Sequence, residues 1–289
     1  MPVATTLNLS LKQLELKANA IRQDIVRALL EAKSGHSAGP LGMADIFTAL
    51  YFYCLQIDPE RPDWKDRDRV VLSNAHICPV LYATLAHRGF CSIEEFRTTL
   101  RKLGSKFQGH SNNHGGFGIE TSGGPLGQGL SQAIGMALAG RMDGADWRVY
   151  ALLSDGELDE GQTWEAMMLA AKEKLHNLTA IVDRNNIQID GYTEDVMPLE
   201  SLVAKWQSFG WHTIEINGHN MRKIIDAIEE SKTIFEQPTV IIAHTIPGKG
   251  VDFMEQKYEW HGKVPNPNEA RIALHELRTL AGQIRSEHE

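Results

Sequence analysis

The apolar positions of this chain change period several times, and each change marks an element. Between residues 11 and 33 they recur at helical spacing, with Leu14, Ala18, Ile21, Ile25 and Leu29 on one face. The Ser34-Gly35 pair that follows suits a helix end, glycine serving as the C-terminal cap. Shorter helical patterns predict helices near 43–55, 79–88 and 93–103, with a polar loop at 58–69 and a short strand at 70–73. From residue 148 onward, apolar runs of strand length (148–154, 178–183, 213–217, 239–244) alternate with amphipathic stretches (160–175, 199–209, 221–235). Strands alternating with helices predict an α/β fold, a doubly wound and mostly parallel sheet with helices on both faces. Asn220 stands where an N-cap belongs, ahead of Ile224, Ile225 and Ile228. A final stripe of Ala273, Leu277, Leu280 and Ile284 predicts a helical tail over 268–289, after one domain spanning 1–267.

Two stretches break this rhythm. Residues 104–129 hold nine glycines and little periodicity, and so long an irregular segment inside a compact domain is usually functional or disordered. Its histidine and glycine signatures favour function. Residues 127–140 then read as a small-residue helix able to approach another backbone closely.

Composition narrows the function classes. The 289 residues suffice for a sizeable core, and 42% hydrophobic with 23% charged residues is ordinary for a globular protein. A formal net charge of -8 argues against nucleic acid or an anionic membrane surface as the main partner. Three cysteines (Cys54, Cys78, Cys91) form no CxxC pair, so neither a disulfide framework nor a zinc site is suggested. With no secretory pattern at the start and no apolar run of about 18 residues, the expected location is the cytoplasm.

The richest segment runs from Ser154 to Gly191. The run 149–153 delivers Asp155 to the carboxyl end of a buried strand, and the run 178–182 delivers Asn185 to the same edge of its neighbour. Trp164, Met167, Met168, Ala171 and Leu175 fall at crossover-helix spacing between them. A carboxylate, an amide oxygen and backbone carbonyls together make a hard oxygen site of the kind Mg²⁺ or Ca²⁺ prefers. Taken singly, Asp155-Gly156 is an ordinary turn whose carboxylate caps a helix. The spacing and the βαβ context are what point to a metal-diphosphate anchor.

These residues resemble the thiamine diphosphate motif, with Ser154 in place of its first glycine. Other segments resemble successive signatures of transketolase: residues 34–42, Leu72-Ser73-Asn74-Ala75-His76, Gly109-His110, Gly124-Pro125-Leu126-Gly127-Gln128-Gly129, Ile189-Asp190-Gly191, Gly248-Lys249-Gly250 and Trp260-His261-Gly262. The resemblance spans about residues 10 to 265. It implies a pyrophosphate-binding type of domain, the amino-terminal half of a family whose single-chain members are much longer. By resemblance, Asp155, the Asn185 side chain and the Ile187 carbonyl bind the metal, and the Gly156 N–H meets the diphosphate. Gly124, Pro125 and Leu126 hold the aminopyrimidine in the bent cofactor. His36, His76, His110 and His261 surround its reactive carbon; His76 and His261 also reach the diphosphate, and His110 binds the ketose donor. Glu160 resembles a residue that pairs across a subunit interface, although a helix-start acid is also simply favourable to the helix dipole.

The implied activity is transfer of a two-carbon ketol unit from a ketose (phosphate) to an aldose (phosphate). The activating glutamate, the aromatic pocket for the pyrimidine and most phosphate-clamping arginines belong to the family's other half. The resemblance therefore implies a partner subunit carrying the pyrimidine-binding and C-terminal domains, in an α2β2 heterotetramer. The small-residue helix and the tail stripe are the surfaces expected to meet it. Alternatives are a related split enzyme for a branched or sulfonated sugar, the α subunit of a 2-oxo-acid dehydrogenase, and a non-catalytic scaffold. The histidine and Gly-Pro-Leu-Gly-Gln-Gly signatures weigh against the dehydrogenase, and intact Asp155, Asn185 and the four histidines weigh against the scaffold. Residues 112–118 depart from the expected pattern, which bears on the donor pocket rather than on the cofactor site.

Overall fold

The computed structural model describes residues 7 and 9–280. Its strands, in chain order, are β1 (Arg69–Leu72), β2 (Val149–Ser154), β3 (Leu178–Arg184), β4 (Ile187–Gln188), β5 (Gly191–Tyr192), β6 (His212–Asn217) and β7 (Thr239–His244). Five of them form one parallel sheet in the order β1-β2-β3-β7-β6, and β4 and β5 make a small antiparallel ribbon. The helices are α1 (Leu11–Ala32), α2 (Ala38–Gly42), α3 (Ala44–Ala49), α4 (Cys78–Arg88), α5 (Ile93–Thr99), α6 (Gln128–Met142), α7 (Gly161–Lys172), α8 (Thr193–Val196), α9 (Leu202–Ser208), α10 (Met221–Ser231) and α11 (Pro267–Leu280).

The central strands read as continuous apolar runs because both faces are covered. Tyr150, Leu152, Ile181, Ile241 and Ala243 face the core formed with α1 to α5 and α10. Val149, Ala151, Leu153, Ala180, Val182, Val240 and Ile242 face the opposite core, formed with α6, α7 and α9. The period of two along each strand sorts neighbouring side chains to opposite layers. This is the doubly wound architecture the alternation predicts.

Element ends differ from the sequence expectation where backbone geometry intervenes. Helix α1 opens on a Ser10–Gln13 capping box and closes on Lys33, itself left-handed at φ 53° with its N–H on the Leu29 carbonyl, so the cap is not Gly35. Helical structure begins at Ala38 rather than near 43, since Pro40 falls in the first turn, where a missing N–H is tolerated. It runs through α3 into a π-helical turn at Leu50–Cys54. Helix α5 stops at Thr99 instead of 103, because Leu100 turns away and Arg101 takes φ 59°. The ribbon β4–β5 and helix α8 carry too short a pattern to be predicted.

The tail stripe needs correcting as a surface for a partner. Ala273 and Leu277 of α11 are fully buried in this chain's own core, and Asn19 Nδ2 donates to the Leu277 carbonyl across the α1–α11 contact. Ile284 lies outside the described residues. In α6, Gly129, Leu130, Ala133, Ile134, Ala137 and Gly140 are turned inward. The close approach expected of this helix is intramolecular there: an added Cβ on Gly129 would lie 2.4 Å from Ser73 Cβ, and one on Gly140 2.7 Å from the Trp147 ring. Its opposite face, with Ser131, Gly135 and Ala139, remains exposed.

Candidate active site

The site lies at the carboxyl edge of the sheet, where parallel strands leave their ends open. Register sets Ser154 of β2 beside Asp183 of β3, so Asp155 and Asn185 emerge at one level from adjacent strands. Asp155 is fully buried. Its Oδ2 accepts from the Asn186 N–H at 2.6 Å and from Arg184 Nη1 at 3.1 Å, while Oδ1 accepts from the Gly156 N–H at 2.8 Å. The backbone N–H expected to meet a diphosphate is thus turned onto its neighbour's carboxylate here. Burial pushes the Asp155 carboxyl up to about 6, against those hydrogen bonds and the Arg184 charge.

Asn185 is oriented from behind. Its Nδ2 donates to Asp183 Oδ2 at 2.8 Å, which leaves Oδ1 as the accepting end, taken by the Ile187 N–H at 3.0 Å. Asp183 also accepts from Thr245 Oγ1 at 2.5 Å, and burial together with the Asp155 charge pushes it up to about 7. Two buried carboxyls, one further balanced by Arg184, make this floor short of positive charge.

Four separate turns form the rest of the wall. His36 follows α1, His76 sits between β1 and α4, His110 lies in the glycine-rich loop, and His261 comes from the turn ahead of α11. The ring centroids are 5.0 Å apart for His36–His76, 5.3 Å for His36–His261 and 5.1 Å for His76–His261. The four imidazoles border a cavity of about 280 Å³ together with Gly39, Gly124, Leu126, Ser154, Gly156, Asn185, Ile187, Gln188 and Ile189. Burial lowers all four, His36 to about 4 and His76 well below its usual value, with neighbouring imidazoles and Arg101 adding to the effect on His36. All are therefore neutral at pH 7, each able to donate one hydrogen bond and accept another. His36 Nδ1 is buried without a hydrogen-bond partner among the described residues.

The buried Glu157 ties these turns together. Its carboxylate accepts from Ser73 Oγ, from the Gly127 N–H at 2.7 Å and from the Ser154 N–H at 3.2 Å, joining the β1, β2 and glycine-rich segments. Ser73 Oγ also takes the Gly129 N–H at 2.9 Å. Of the remaining predicted residues, Gly124 and Leu126 line the cavity, whereas Pro125 and Glu160 are exposed outside its lining. His114 is exposed, and His244 pairs with Glu215 at 2.7 Å, so neither joins the histidine cluster.

Sequence reasoning missed Glu157, Asp183 and Arg184 as parts of this site. Glu157 stands two residues beyond Asp155, and Asp183-Arg184 directly precedes Asn185. A charge at the end of an apolar strand run was the available signal.

The donor set fits a small hard cation. The Asp155 carboxylate and the Asn185 amide oxygen leave the ends of adjacent strands, with the Ile187 N–H on that amide oxygen, and no group of three or more His, Cys, Asp or Glu suited to a metal occurs among the described residues. Magnesium is commonly held in this way, by one or two carboxylates plus phosphate oxygens from a ligand. The unpartnered His36 Nδ1 and the carboxyl-rich floor are the features a cation-diphosphate ligand would satisfy.

Comparisons with known proteins identify the family. The family described as "Transketolase, thiamine diphosphate binding domain" matches residues 14–278. The chain is 42% identical over 264 residues to the 6-deoxy-6-sulfo-D-fructose transketolase subunit of Clostridium sp. (strain MSTE9), covering 91% of this chain and 96% of that one. It is 40% identical over 280 residues to an apulose-4-phosphate transketolase subunit of Phocaeicola vulgatus, covering 97% and 99%. Human transketolase is 38% identical over 272 residues, but there the match covers 92% of this chain and only 42% of the relative. A solved transketolase from Campylobacter jejuni superposes with a TM-score of 0.86 at 32% identity, over 95% of this chain and 43% of that one.

Proposed function

The chain belongs to the transketolase family through its thiamine diphosphate-binding domain, and on that premise we propose that it is the cofactor-anchoring subunit of a two-chain transketolase. It spans nearly the whole of relatives named as subunits and less than half of single-chain transketolases, which supports a separate partner chain. That partner contributes the pyrimidine-binding and C-terminal domains, in a symmetric α2β2 assembly. The observation carrying this reading is that Asn185, Ile187 and four histidines line one cavity, with Asp155 buried beside it between Ser154 and Gly156 of the lining.

Asp155, the Asn185 Oδ1 and the Ile187 carbonyl would hold Mg²⁺, and the Gly156 N–H, now on Asp155 Oδ1, would be the backbone donor for the diphosphate. Bound thiamine diphosphate supplies a carbon nucleophile that accepts and releases a two-carbon unit. Leu126 and the backbone of Gly124 and Pro125 shape the cavity wall against which the pyrimidine lies. His76 and His261 would hydrogen-bond the diphosphate, and His36 and His261 would move protons at the substrate hydroxyls. His110 binds the hydroxyl end of the donor. Neutral imidazoles suit these tasks, since each offers both a donor and an acceptor. Glu160, exposed at the start of α7, faces the partner.

The reaction moves a ketol unit from a ketose to an aldose. The names of the two subunit relatives, one for a sulfonated and one for a phosphorylated ketose, support a donor with an anionic end. No helix among the described residues is long and apolar enough to cross a membrane, which accords with a cytoplasmic enzyme. The test is a ketol-transfer assay with purified chain, Mg²⁺ and thiamine diphosphate, before and after adding a candidate chain that encodes the missing half. Turnover only in the pair is the expected result. Robust turnover by this chain alone would overturn the split-enzyme reading.

A further inference from the structure

Arg101 stands between two of the histidine turns. Its Nη1 donates to Ser34 Oγ at 2.8 Å and its Nη2 to the Gly109 carbonyl at 3.1 Å. Ser34-Gly35 leads directly into His36, and Gly109 leads directly into His110. Gly109 leaves room for the guanidinium, since an added Cβ there would meet Arg101 Cζ at 3.3 Å, whereas one on Gly35 would run into Leu29 Cδ2 at 2.6 Å and only touch Arg101 Nε at 3.7 Å. Gly35 also has φ 135°, a value that L side chains rarely adopt. Arg101 is itself left-handed at φ 59°, and its N–H takes the Phe107 carbonyl at 2.8 Å, which turns its side chain back toward the site.

We propose that Arg101 is a positioning residue whose planar fork locks the turns carrying His36 and His110 to one another, setting the gap between those two imidazoles. This rests on the reading of His36 and His110 as substrate-facing groups. The fork geometry matters because lysine offers a point charge and cannot span a hydroxyl and a carbonyl in fixed directions. No carboxylate pairs with Arg101 among the described residues, so its charge acts on the imidazoles unbalanced. The charged and titratable groups around His36 are His76, His110, His261 and Arg101; around His110, Arg101 is the one that acts. After burial, Arg101 is a cause of lowering at both histidines.

The experiment compares the full-length chain with Arg101→Lys and Arg101→Gln, following imidazole signals by NMR across pH and ketol transfer in the assembled pair. Arg101→Lys keeps the charge. It is expected to displace the His36 and His110 signals while leaving those of His87 and His212 in place. It is also expected to lower kcat by about a hundredfold, the scale of an ångström misplacement. Arg101→Gln should in addition raise both titration midpoints. Wild-type imidazole signals and wild-type kcat in Arg101→Lys would overturn the proposal; should the lysine variant fail to fold, the same pair of results in Arg101→Gln would overturn it. If the wild-type pair shows no ketol transfer, the functional reading fails, and the NMR signals of Arg101→Lys alone decide the role of Arg101.

Discussion

Asp155 and Arg184 form an ion pair inside the protein, 3.1 Å from Nη1 to Oδ2, with side chains 0% and 2% exposed. Arg184 also donates to Thr193 Oγ1, Glu194 and Glu200. The residue proposed to hold the metal is therefore clamped by an arginine next in sequence to a second proposed ligand, and that arginine reaches on to α8 and the loop beyond it. A carboxylate fixed in this way is held in place, and must exchange hydrogen bonds such as that from the Gly156 N–H to receive a cation.

Asp155→Ala removes a proposed metal ligand and one partner of that pair. Mg²⁺-dependent binding of thiamine diphosphate to the reconstituted enzyme should weaken by at least about a hundredfold, a loss that even outer-shell changes at metal sites approach. The chain should also lose up to about 3 kcal/mol of stability, since a buried charge is left with fewer partners, Glu194 and Glu200 limiting the damage. Titration calorimetry and denaturant unfolding separate the two effects. Wild-type cofactor affinity in the folded variant would remove Asp155 from the metal site.

Binding should also depend on pH. The Asp155 carboxyl is raised to about 6 in the metal-free chain, and the cation requires the ionised form. Affinity for Mg²⁺ and thiamine diphosphate should be near its plateau at pH 7.5 and fall as pH drops through about 6, accompanied by proton uptake on release. For folding of the metal-free chain the sign is opposite. A raised carboxyl contributes stability that is present below about 3.8 and lost as pH rises through about 6. Calorimetry at pH 5.5 and 7.5 in buffers of different ionisation enthalpy reads both affinity and proton count, and a flat profile contradicts the assignment.

His261→Ala should reduce turnover of the assembled enzyme by about two to four orders of magnitude, the range for loss of one proton-transfer group. Stability should change little, because the ring sits in a turn against His36 and His76 rather than in either apolar core. Near-normal kcat beside an unchanged melting temperature would take His261 off the catalytic list.

Two glycines of α6 should respond in opposite directions. Gly129→Ala places a Cβ 2.6 Å from Ser73 Cα as well as against its side chain, so backbone must move. A cost of roughly 1–3 kcal/mol follows from overpacking, and Ser73 is pushed off Glu157. Gly135→Ala meets nothing within 4 Å, and alanine at a helix interior gains up to about 1 kcal/mol over glycine. Denaturant unfolding of the isolated chain checks both, and equal effects would mean that the contact with Ser73 is not tight.

The strand–helix alternation was legible because both faces of β2 and β3 are covered, which forces nearly every position in those runs to be apolar. Helix ends were less legible. The stop at Thr99 and the cap at Lys33 depend on left-handed residues that are not glycine, adopted because neighbouring carbonyls and side chains favour them. The tail misled for a related reason. A stripe such as Ala273 and Leu277 states that an apolar face will be covered, and leaves open whether the cover is this chain or another.

The sequence by itself determined that Asp155 and Asn185 would leave adjacent parallel strands at one edge, since period, spacing and the crossover helix together allow few other arrangements. The tertiary structure alone decided what surrounds them: that Glu157 joins three segments, that Arg184 clamps Asp155, and that Arg101 sits between the turns of His36 and His110. Those contacts join residues about 30 to 80 positions apart, or hang on which way one long side chain turns. No local preference encodes either; each is settled when the layers close and a buried charge must find its partner.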